Sequence, residues 1–341
     1  MVGKDLAIDL GTCAIKIFMQ DRGIVLDEPA IAAVDRETNE VIAVGKEAYA
    51  MLGRTSARVA VTRPMSCGVI SDYDLVQDML HRFLRELVQS KLFMPRVVVS
   101  VPCEMTEVQR RSVVDAISGT GVRKICLIEE PIAAAIGAGM DIARPHGTCV
   151  VDVGGGTTDM AVISLSGVAI AKTINIAGDT LDEAVMKYMR YRYHLLIGKR
   201  MAEEVKIAIG GVGPRSEPLR YRVKGRNLIT GLPQSVEISS EELIKCLADP
   251  VMKIVQELQR ILQVTPPELM GDILSDGVIL TGGSAQLYGL DRVLGALTKL
   301  PVRVAEEPAC CVALGAGKAL GFIDDMDKKE YGVLNPLSDA Y

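Results

Sequence analysis

Apolar and polar residues follow two different periods along the chain, and each period predicts a kind of element. Runs that are apolar at nearly every position, such as residues 97–101 and 278–280, predict strands buried on both faces of a sheet. Between Ser71 and Ser90 the apolar residues instead recur at helical spacing, which predicts an amphipathic helix with one buried face. Segments of these two kinds follow one another along most of the chain. This order predicts an α/β protein whose sheets are covered by helices.

Three helix starts are predicted from a hydroxyl residue followed three positions later by Glu or Gln, the pattern of a capping box. The pairs are Thr106 with Gln109, Thr180 with Glu183, and Ser239 with Glu242. The last of these helices contains Pro250, which is expected to interrupt it or to begin a new helix. Past Ala319 the charged sequence DDMDKKE predicts a solvated, loose end.

Two stretches share the pattern of an apolar strand that runs through Asp into a turn of Gly and Thr. One is VVDVGGGTTDM at residues 150–160, which contains Asp152, and the other is IDLGT at residues 8–12, which contains Asp9. Consecutive glycines remove side chains, so that backbone N–H groups can close around an anion. Each stretch alone is also compatible with a plain tight turn. Two copies predict a duplicated unit, in which each half offers one hairpin to a nucleotide held between them.

Length and composition narrow the class of protein. The 341 residues are too many for one ordinary core and fit two domains. Hydrophobic residues make up 49% and charged residues 24%, as in well-packed globular proteins. The net charge of −5 argues against a nucleic-acid partner, because binding a polyanion is driven largely by Lys and Arg. No run reaches the ~18 apolar residues that span a bilayer, and the N-terminus lacks a signal peptide, so we expect a cytoplasmic protein.

The cysteines and histidines add no candidate metal centre. The eight cysteines form no CxxC pair and most fall in apolar runs, which predicts reduced, buried thiols. The three histidines, His81, His146 and His194, are scattered along the chain, and we assign them no role.

Four phrases in a fixed order carry a resemblance to a known family. They are IDLGT at residues 8–12, LIEEP at 127–131, VDVGGGTTD at 151–159 and LTGGS at 280–284. With these phrases the chain resembles the actin, Hsp70 and sugar-kinase superfamily, and within it the MreB/Mbl family of bacterial actins. The resemblance runs over residues 6–320. It implies an actin-like α/β fold: two related lobes with RNase H-like cores, each with a smaller inserted subdomain, around a nucleotide cleft.

The same resemblance implies how the chain divides into domains. Domain I would comprise residues 1–143 together with 312–341, and its subdomain IB would cover residues 33–65. Domain II would comprise residues 144–311, and its subdomain IIB would cover residues 180–243.

In MreB-like proteins two hairpins straddle the phosphates of ATP, and the matching residues are expected to do so here. The implied phosphate-binding residues are Gly11, Thr12, Cys13, Gly154, Gly155, Gly156 and Thr157. Asp9 and Asp152 would hold Mg²⁺, largely through its water ligands, because this hard cation gives up water reluctantly. Gly178 and Asp179 would close the cleft behind the phosphates.

The resemblance also implies an ATPase. Glu130 would orient the attacking water toward the γ-phosphate, and Thr158 would assist. The neighbouring Glu129 is the alternative candidate for orienting the water.

The nucleoside is implied to lie on domain II. Glu203 and Lys206 would contact the ribose and the base, although their spacing also permits a simple salt bridge on one helix face. The turn Gly282, Gly283 and Ser284 would pack flat against the adenine, because it carries little side chain.

Two residues depart from the family pattern. Most of these sequences continue the first hairpin with Ala-Asn-Thr, whereas this chain has Cys13, Ala14 and Ile15, and then Lys16. Actin and plasmid-segregation actins have a lysine at this offset, so Lys16 is expected to contact the β- or γ-phosphate. An exposed strand lysine is the alternative. Ser284 stands where the family usually has a third glycine, and its small hydroxyl is expected to fit with a slight change to the adenine pocket.

An apolar segment at Leu92, Phe93 and Met94 is predicted to form a loop tip, where apolar residues usually meet something apolar. In MreB-like proteins this loop dips into the inner face of the cytoplasmic membrane, and Leu92 and Phe93 are expected to do so here. The alternative is that the loop folds back onto its own domain.

The function implied is that of a bacterial actin. Its homopolymer filaments would lie at the inner face of the cell membrane and, with cell-wall elongation membrane proteins, organise cell-wall synthesis and rod cell shape. An FtsA- or plasmid-segregation-type actin-like ATPase is an alternative, and a small-molecule kinase of the same superfamily is another. An Hsp70 chaperone needs a further substrate-binding domain, for which 341 residues leave no room.

Overall fold

Strands and helices alternate as the pattern predicts, and the computed structural model describes them for residues 5–87, 95–326 and 333–334. The first strands are β1 (Leu6–Leu10), β2 (Ala14–Met19), β3 (Gly23–Pro29), β4 (Ala32–Asp35), β5 (Val41–Val44), β6 (Val59–Thr62), β7 (Met65–Ser66), β8 (Val69–Ile70), β9 (Arg96–Val101) and β10 (Lys124–Glu129). The helices among them are α1 (Gly45–Met51), α2 (Tyr73–Leu87), α3 (Glu107–Ser118) and α4 (Glu130–Gly137).

The second part of the chain repeats this alternation and then returns to the first part. Its strands are β11 (Thr148–Val153), β12 (Thr158–Ser164), β13 (Gly167–Ile174), β14 (Leu195–Leu196), β15 (Arg220–Asn227), β16 (Pro233–Ser239), β17 (Val278–Thr281), β18 (Val302–Val304) and β19 (Val333–Leu334). Its helices are α5 (Gly178–Tyr193), α6 (Lys199–Ile209), α7 (Ser240–Val264), α8 (Pro267–Asp276), α9 (Leu290–Thr298), α10 (Cys311–Ala319) and α11 (Ile323–Met326).

Two large sheets are built on the same plan. The first has the order β19-β10-β9-β1-β2-β3 and the second the order β13-β12-β11-β17-β18. In the first sheet, β1 pairs antiparallel with β2 on one side and parallel with β9 on the other. In the second sheet, β11 pairs in the same way with β12 and β17. The duplicated unit predicted from the two Gly-rich stretches is therefore present. We call each large sheet with its helices a lobe.

Each lobe also carries a smaller sheet. The small sheet of the first lobe has the order β5-β4-β6, and the small sheet of the second lobe has the order β14-β15-β16. Helix α1 packs on the former and α6 on the latter. The division at residues 143/144 and 311/312 stays a prediction.

Helices α4 and α10 lie between the two lobes. One cluster of buried residues joins these helices to both large sheets, and among its members are Ala7, Val98, Val150 and Ala161. The helices meet backbone to backbone, since a Cβ on Gly137 would lie 1.8 Å from the Cys311 carbonyl oxygen. A Cβ on Gly315 would lie 1.7 Å from the Ala133 carbonyl oxygen. Only glycine permits this approach, which holds the lobes together at one seam.

Two of the three predicted capping boxes are confirmed, at Thr106 and at Ser239. The prediction for Thr180 is wrong, because α5 already begins at Gly178 and no side chain caps it. The N–H groups of Gly178 and Asp179 instead donate to the carbonyls of the Gly-rich turn, over 3.2 and 2.7 Å. Tertiary contacts thus satisfy the start of this helix.

Pro250 and the C-terminal segment also differ from expectation. Helix α7 runs unbroken over 25 residues with Pro250 inside it, buried among core side chains whose packing outweighs the lost hydrogen bond. Of the segment past Ala319, residues 323–326 form α11, and residues 333–334 form β19, which pairs antiparallel with β10, so these residues are not loose. The rest of the charged sequence, residues 327–330, lies outside the described residues.

All eight cysteines are free, as expected. Only three are buried, however, namely Cys126, Cys149 and Cys311, and Cys67 is exposed. Apolar neighbours in sequence were therefore a poor guide to burial for the other thiols.

None of the helices in the described ranges combines the length and the apolar character needed to cross a membrane.

Candidate functional site

A cavity of about 520 Å³ lies where the Gly-rich turns of both lobes meet. Its volume is in the range of small-molecule sites. Most of the residues singled out from the sequence line it, namely Asp9, Gly11, Thr12, Cys13, Lys16, Glu130, Asp152, Gly154, Gly155, Gly156, Thr157, Gly178, Glu203, Lys206, Gly282, Gly283 and Ser284. Residues far apart in the chain are thus brought to one place.

The turns of the two hairpins contact each other directly. A Cβ on Gly155 would lie 2.2 Å from the Cys13 Sγ, and a Cβ on Gly156 would lie 2.5 Å from the Thr12 Oγ1. Any other residue at either glycine would push the turns apart. The Gly154 N–H donates to the Thr157 carbonyl over 2.9 Å and closes the second turn.

Asp9 and Asp152 lie near the ends of corresponding strands, β1 and β11, beside the cavity, and Asp152 is buried whereas Asp9 is half-buried. Ser100 Oγ donates to Asp9 over 3.3 Å, and Thr281 Oγ1 donates to Asp152 over 2.6 Å. Burial raises the pKa of Asp9 to about 6 and that of Asp152 to about 7, although Lys16 opposes both shifts. Two carboxylates that are largely removed from solvent and share one nearby ammonium favour a further cation between them.

These aspartates fit a hard divalent cation such as Mg²⁺, which is bound by a few carboxylates and keeps several waters. No group of three or more His, Cys, Asp or Glu side chains in the described ranges could hold a metal ion by itself. The cation would therefore depend on two carboxylates together with water and phosphate oxygens.

Lys16 is buried, with 10% of its side chain exposed, and it lines the cavity. Its Nζ lies 3.2 Å from Asp27 Oδ1 on the adjoining strand β3. The alternative of an exposed strand lysine is therefore wrong.

Glu130 and its rival Glu129 occupy different environments. Glu130 begins α4, is 7% exposed and lines the cavity. Burial raises its pKa well above the usual value, and the nearby Asp159 raises it further. Glu129 is not among the cavity-lining residues and lies 3.6 Å from the Arg110 guanidinium. The structure thus presents Glu130, and not Glu129, to the cavity.

Two predicted residues do not line the cavity. Thr158 is fully buried, and its hydroxyl donates to the Ile176 carbonyl over 2.6 Å. Asp179 accepts from Arg63 Nη1 over 2.7 Å, and the same Nη1 lies 3.1 Å from the Cys13 Sγ. Both residues fix the shape of the second hairpin and its contact with the first lobe.

Glu203 and Lys206 do not form the simple salt bridge that their spacing would allow. Lys206 Nζ lies 2.8 Å from Asp182 Oδ1 and donates to the Gly178 carbonyl over 3.1 Å. Glu203 Oε2 accepts from the hydroxyl of Tyr49, which belongs to the first lobe, over 2.8 Å. Both side chains therefore have other partners at the cavity wall.

The turn at Gly282 touches the second hairpin. Gly282 has a φ of +86°, and a Cβ there would lie 2.3 Å from the Val153 carbonyl oxygen. Ser284 Oγ donates to the Gly154 carbonyl over 2.7 Å. The serine that departs from the family pattern thus joins this turn to the Gly-rich turn.

Several residues at the cavity were not predicted from the sequence. Asp182 pairs with Lys206, and Tyr49 and Arg63 reach the second lobe from the first. Arg215 stacks on Tyr288 with 3.8 Å between the guanidinium carbon and the ring centroid, and both line the cavity. Arg63 stands in the stretch RPMSCG at residues 63–68, which by itself indicates no role. The other four have no local sequence signal.

Sequence comparisons assign the chain to a family. A family model described as MreB/Mbl protein matches residues 3–328. The chain is 45% identical to the cell shape-determining protein MreB of Escherichia coli over 331 residues, which is 95% of each protein. It is 42% identical to the cell shape-determining protein Mbl of Bacillus cereus over 330 residues, which is 96% of this chain and 99% of the relative.

Solved structures agree with the sequence comparisons. MreB 5 of Spiroplasma citri bound to AMPPNP superposes with a TM-score of 0.92 at 32% identity, over 96% of this chain and 99% of that one. The MamK double helical filament shares the fold, with a TM-score of 0.78 at 19% identity over 93% and 98% of the two chains. The expected actin-like fold is confirmed. Together, the family model, these relatives and the paired hairpins show that the chain belongs to the MreB/Mbl protein family.

Proposed function

We propose that this chain is an ATP-binding and ATP-hydrolysing bacterial actin. The observation that carries the proposal is that the turns of two hairpins from different lobes meet at one cavity, and that each hairpin places an aspartate, Asp9 or Asp152, at the cavity wall. Such turns present backbone N–H groups to phosphates, and aspartates beside them serve a cation. The structures of Spiroplasma citri MreB 5 bound to AMPPNP and to ADP support a nucleotide in the same cavity here.

Phosphates and Mg²⁺ are assigned to the centre of the cavity. The backbone of residues 11–13 and 154–157 binds the phosphates, and Lys16 contacts the β- or γ-phosphate. Asp9 and Asp152 hold Mg²⁺, largely through its water ligands. Bound there, the cation supplies charge neutralisation at the phosphate oxygens. Gly178 closes the cavity behind the phosphates, and Asp179, which does not line the cavity, supports this closure through its contact with Arg63.

Glu130 orients the water that attacks the γ-phosphate. The water oxygen forms a bond to the γ-phosphorus as the bond to the β–γ bridging oxygen breaks, and ADP leaves with that oxygen. A carboxylate acts here chiefly by aligning the water, which is why its position in the cavity matters. Thr158 contributes by holding the hairpin at the Ile176 carbonyl.

The nucleoside is assigned to the second lobe. Glu203 and Lys206 contact the ribose and the base, and the turn Gly282, Gly283 and Ser284 packs against the adenine. The contact of Gly282 with the backbone of Val153 supports this assignment, because it leaves bare backbone at the cavity wall.

Replacing Lys16 with Ala is expected to weaken ATP binding about tenfold, because a buried ammonium that faces two carboxylates and a phosphate contributes more than an exposed one. Equilibrium binding of a fluorescent ATP analogue measures the effect. Lys46, whose side chain is 71% exposed, provides the control, and Lys46→Ala should bind like the parent. An unchanged affinity of Lys16→Ala would contradict the phosphate contact.

We further propose that the chain polymerises and takes part in setting cell shape. The names of the MreB and Mbl relatives support a role in determining cell shape, and the MamK double helical filament supports polymerisation of this fold. The filaments would organise cell-wall synthesis together with cell-wall elongation membrane proteins. Light scattering and electron micrographs with and without ATP test this directly. Growth of polymer with ATP is expected, whereas phosphorylation of a metabolite without polymer would instead indicate a kinase.

The membrane contact assigned to Leu92 and Phe93 lies outside the described residues and is proposed from the sequence. Burying both side chains in lipid contributes on the order of 3–6 kcal/mol, which is weak for one subunit and adds up along a filament. The double variant Leu92→Ser, Phe93→Ser is therefore expected to lose most co-sedimentation with liposomes while it still polymerises. Undiminished co-sedimentation would overturn the membrane contact.

A further inference from the structure

One side chain of the first lobe reaches the proposed ribose site in the second lobe. Tyr49 lies on α1, which packs on the small sheet of the first lobe, and its hydroxyl donates to Glu203 Oε2 over 2.8 Å. Glu203 lies on α6, which packs on the small sheet of the second lobe, and it lines the cavity. This hydrogen bond therefore joins the helices on the two small sheets at the edge of the cavity.

The cations around Glu203 already have carboxylate partners. The pairs are Lys206 with Asp182 at 2.8 Å, Arg200 with Glu204 at 3.0 Å, and Arg63 with Asp179 at 2.7 Å. A carboxylate beside three arginines and lysines would usually bind one of them. Here the neutral hydroxyl of Tyr49 is the partner of Glu203, and this leaves the second carboxylate oxygen available to a group in the cavity.

The surroundings keep Tyr49 in place as a donor. The Arg200 guanidinium carbon lies 5.5 Å from the centroid of the Tyr49 ring, which fixes the ring from the side of the second lobe. Burial, together with the hydrogen bond to Glu203, raises the pKa of Tyr49 to about 12, so its hydroxyl carries a proton at neutral pH. The contact therefore persists over the ordinary pH range.

We propose that Tyr49 is a positioning residue for ribose recognition. Its hydroxyl holds the Glu203 carboxylate so that the second oxygen accepts from the ribose hydroxyls. The assignment rests on the proposed contact between Glu203 and the nucleoside. Because the donor comes from the opposite lobe, recognition of the ribose and closure of the small sheets over the nucleotide occur together.

The test compares ATP with its 2′,3′-dideoxy analogue, which lacks both ribose hydroxyls, in equilibrium binding. The parent is expected to prefer ATP. Tyr49→Phe removes one oxygen and keeps the ring on Arg200, and it should weaken ATP binding about tenfold, the effect of one hydrogen bond to a charged group. Binding of the dideoxy analogue should change by less than about twofold, since it makes no contact with Glu203. The control is Tyr191→Phe, whose parent side chain is 79% exposed, and it should leave both affinities unchanged.

A second variant separates positioning from a general loosening of the fold. Glu203→Gln should lose the preference for ATP over the dideoxy analogue, and adding Tyr49→Phe to it should have no further effect on that preference. If Tyr49→Phe weakens both nucleotides equally, or neither, the role of Tyr49 is overturned while the proposed function stands. If the parent binds no ATP, both the proposed function and this inference fail.

Discussion

Replacing Glu130 with Gln is expected to slow ATP hydrolysis about 100-fold, at the lower end of what a positioned acid or base contributes. Glutamine keeps the size of the side chain but lacks the negative charge that orients and polarises the attacking water. Glu130 lines the cavity and is 7% exposed, so no bulk solvent replaces the lost carboxylate. Release of phosphate in single-turnover experiments measures the chemical step, and ATP affinity is expected to stay within about twofold.

The neighbouring Glu129 is the matched control. It differs from Glu130 by one position in the chain, and its carboxylate faces Arg110 instead of the cavity. Glu129→Gln should therefore hydrolyse ATP at nearly the parental rate. If the two variants slowed hydrolysis equally, the proposal that Glu130 orients the attacking water would be contradicted.

The substitution Gly156→Ala should weaken ATP binding by about 10- to 100-fold. An overpacked contact costs about 1–3 kcal/mol, and each 1.4 kcal/mol corresponds to a factor of ten. The added Cβ would lie 2.5 Å from the Thr12 Oγ1 and 2.8 Å from the Thr12 Cβ. Thr12 cannot turn away easily, since it is buried and its hydroxyl accepts from the Gly68 N–H over 2.9 Å. The two turns must then move apart, and phosphates would no longer touch both.

Gly167 offers the comparison for this variant. It is the first residue of β13, where an added Cβ would meet only the Ser164 carbonyl oxygen, at an ordinary 3.7 Å. Gly167→Ala should bind ATP like the parent. Calorimetric titration of both variants measures the difference, and parental affinity in Gly156→Ala would show that the turns need not touch to bind phosphates.

The two hairpins were predictable because their signal is local. The pattern of an apolar strand that leads through Asp into a Gly turn takes fewer than a dozen consecutive residues, and it occurs twice, at Asp9 and at Asp152. The capping boxes at Thr106 and Ser239 were predictable for the same reason, since four residues contain the whole hydrogen-bonding arrangement.

The partners of the site residues were not predictable, because they come from distant parts of the chain. The hydrogen bond from Tyr49 to Glu203 spans 154 positions, and that from Arg63 to Asp179 spans 116. The error at Thr180 has the same origin. Its local pattern fits a capping box, but the carbonyls of the Gly-rich turn satisfy the helix start instead. Periodicity and composition hold no information on such pairings.

The glycine seam between α4 and α10 determines how the lobes can move. Since Gly137 and Gly315 bring the backbones of the two helices into direct contact, neither helix can slide along the other without steric collision. A rotation of one lobe about the contact line between α4 and α10 moves the atoms at that contact least and the ends of the lobes most. Small displacements at the cavity are thereby magnified at the outer ends of the molecule, where they would change the contacts with adjoining subunits of a polymer.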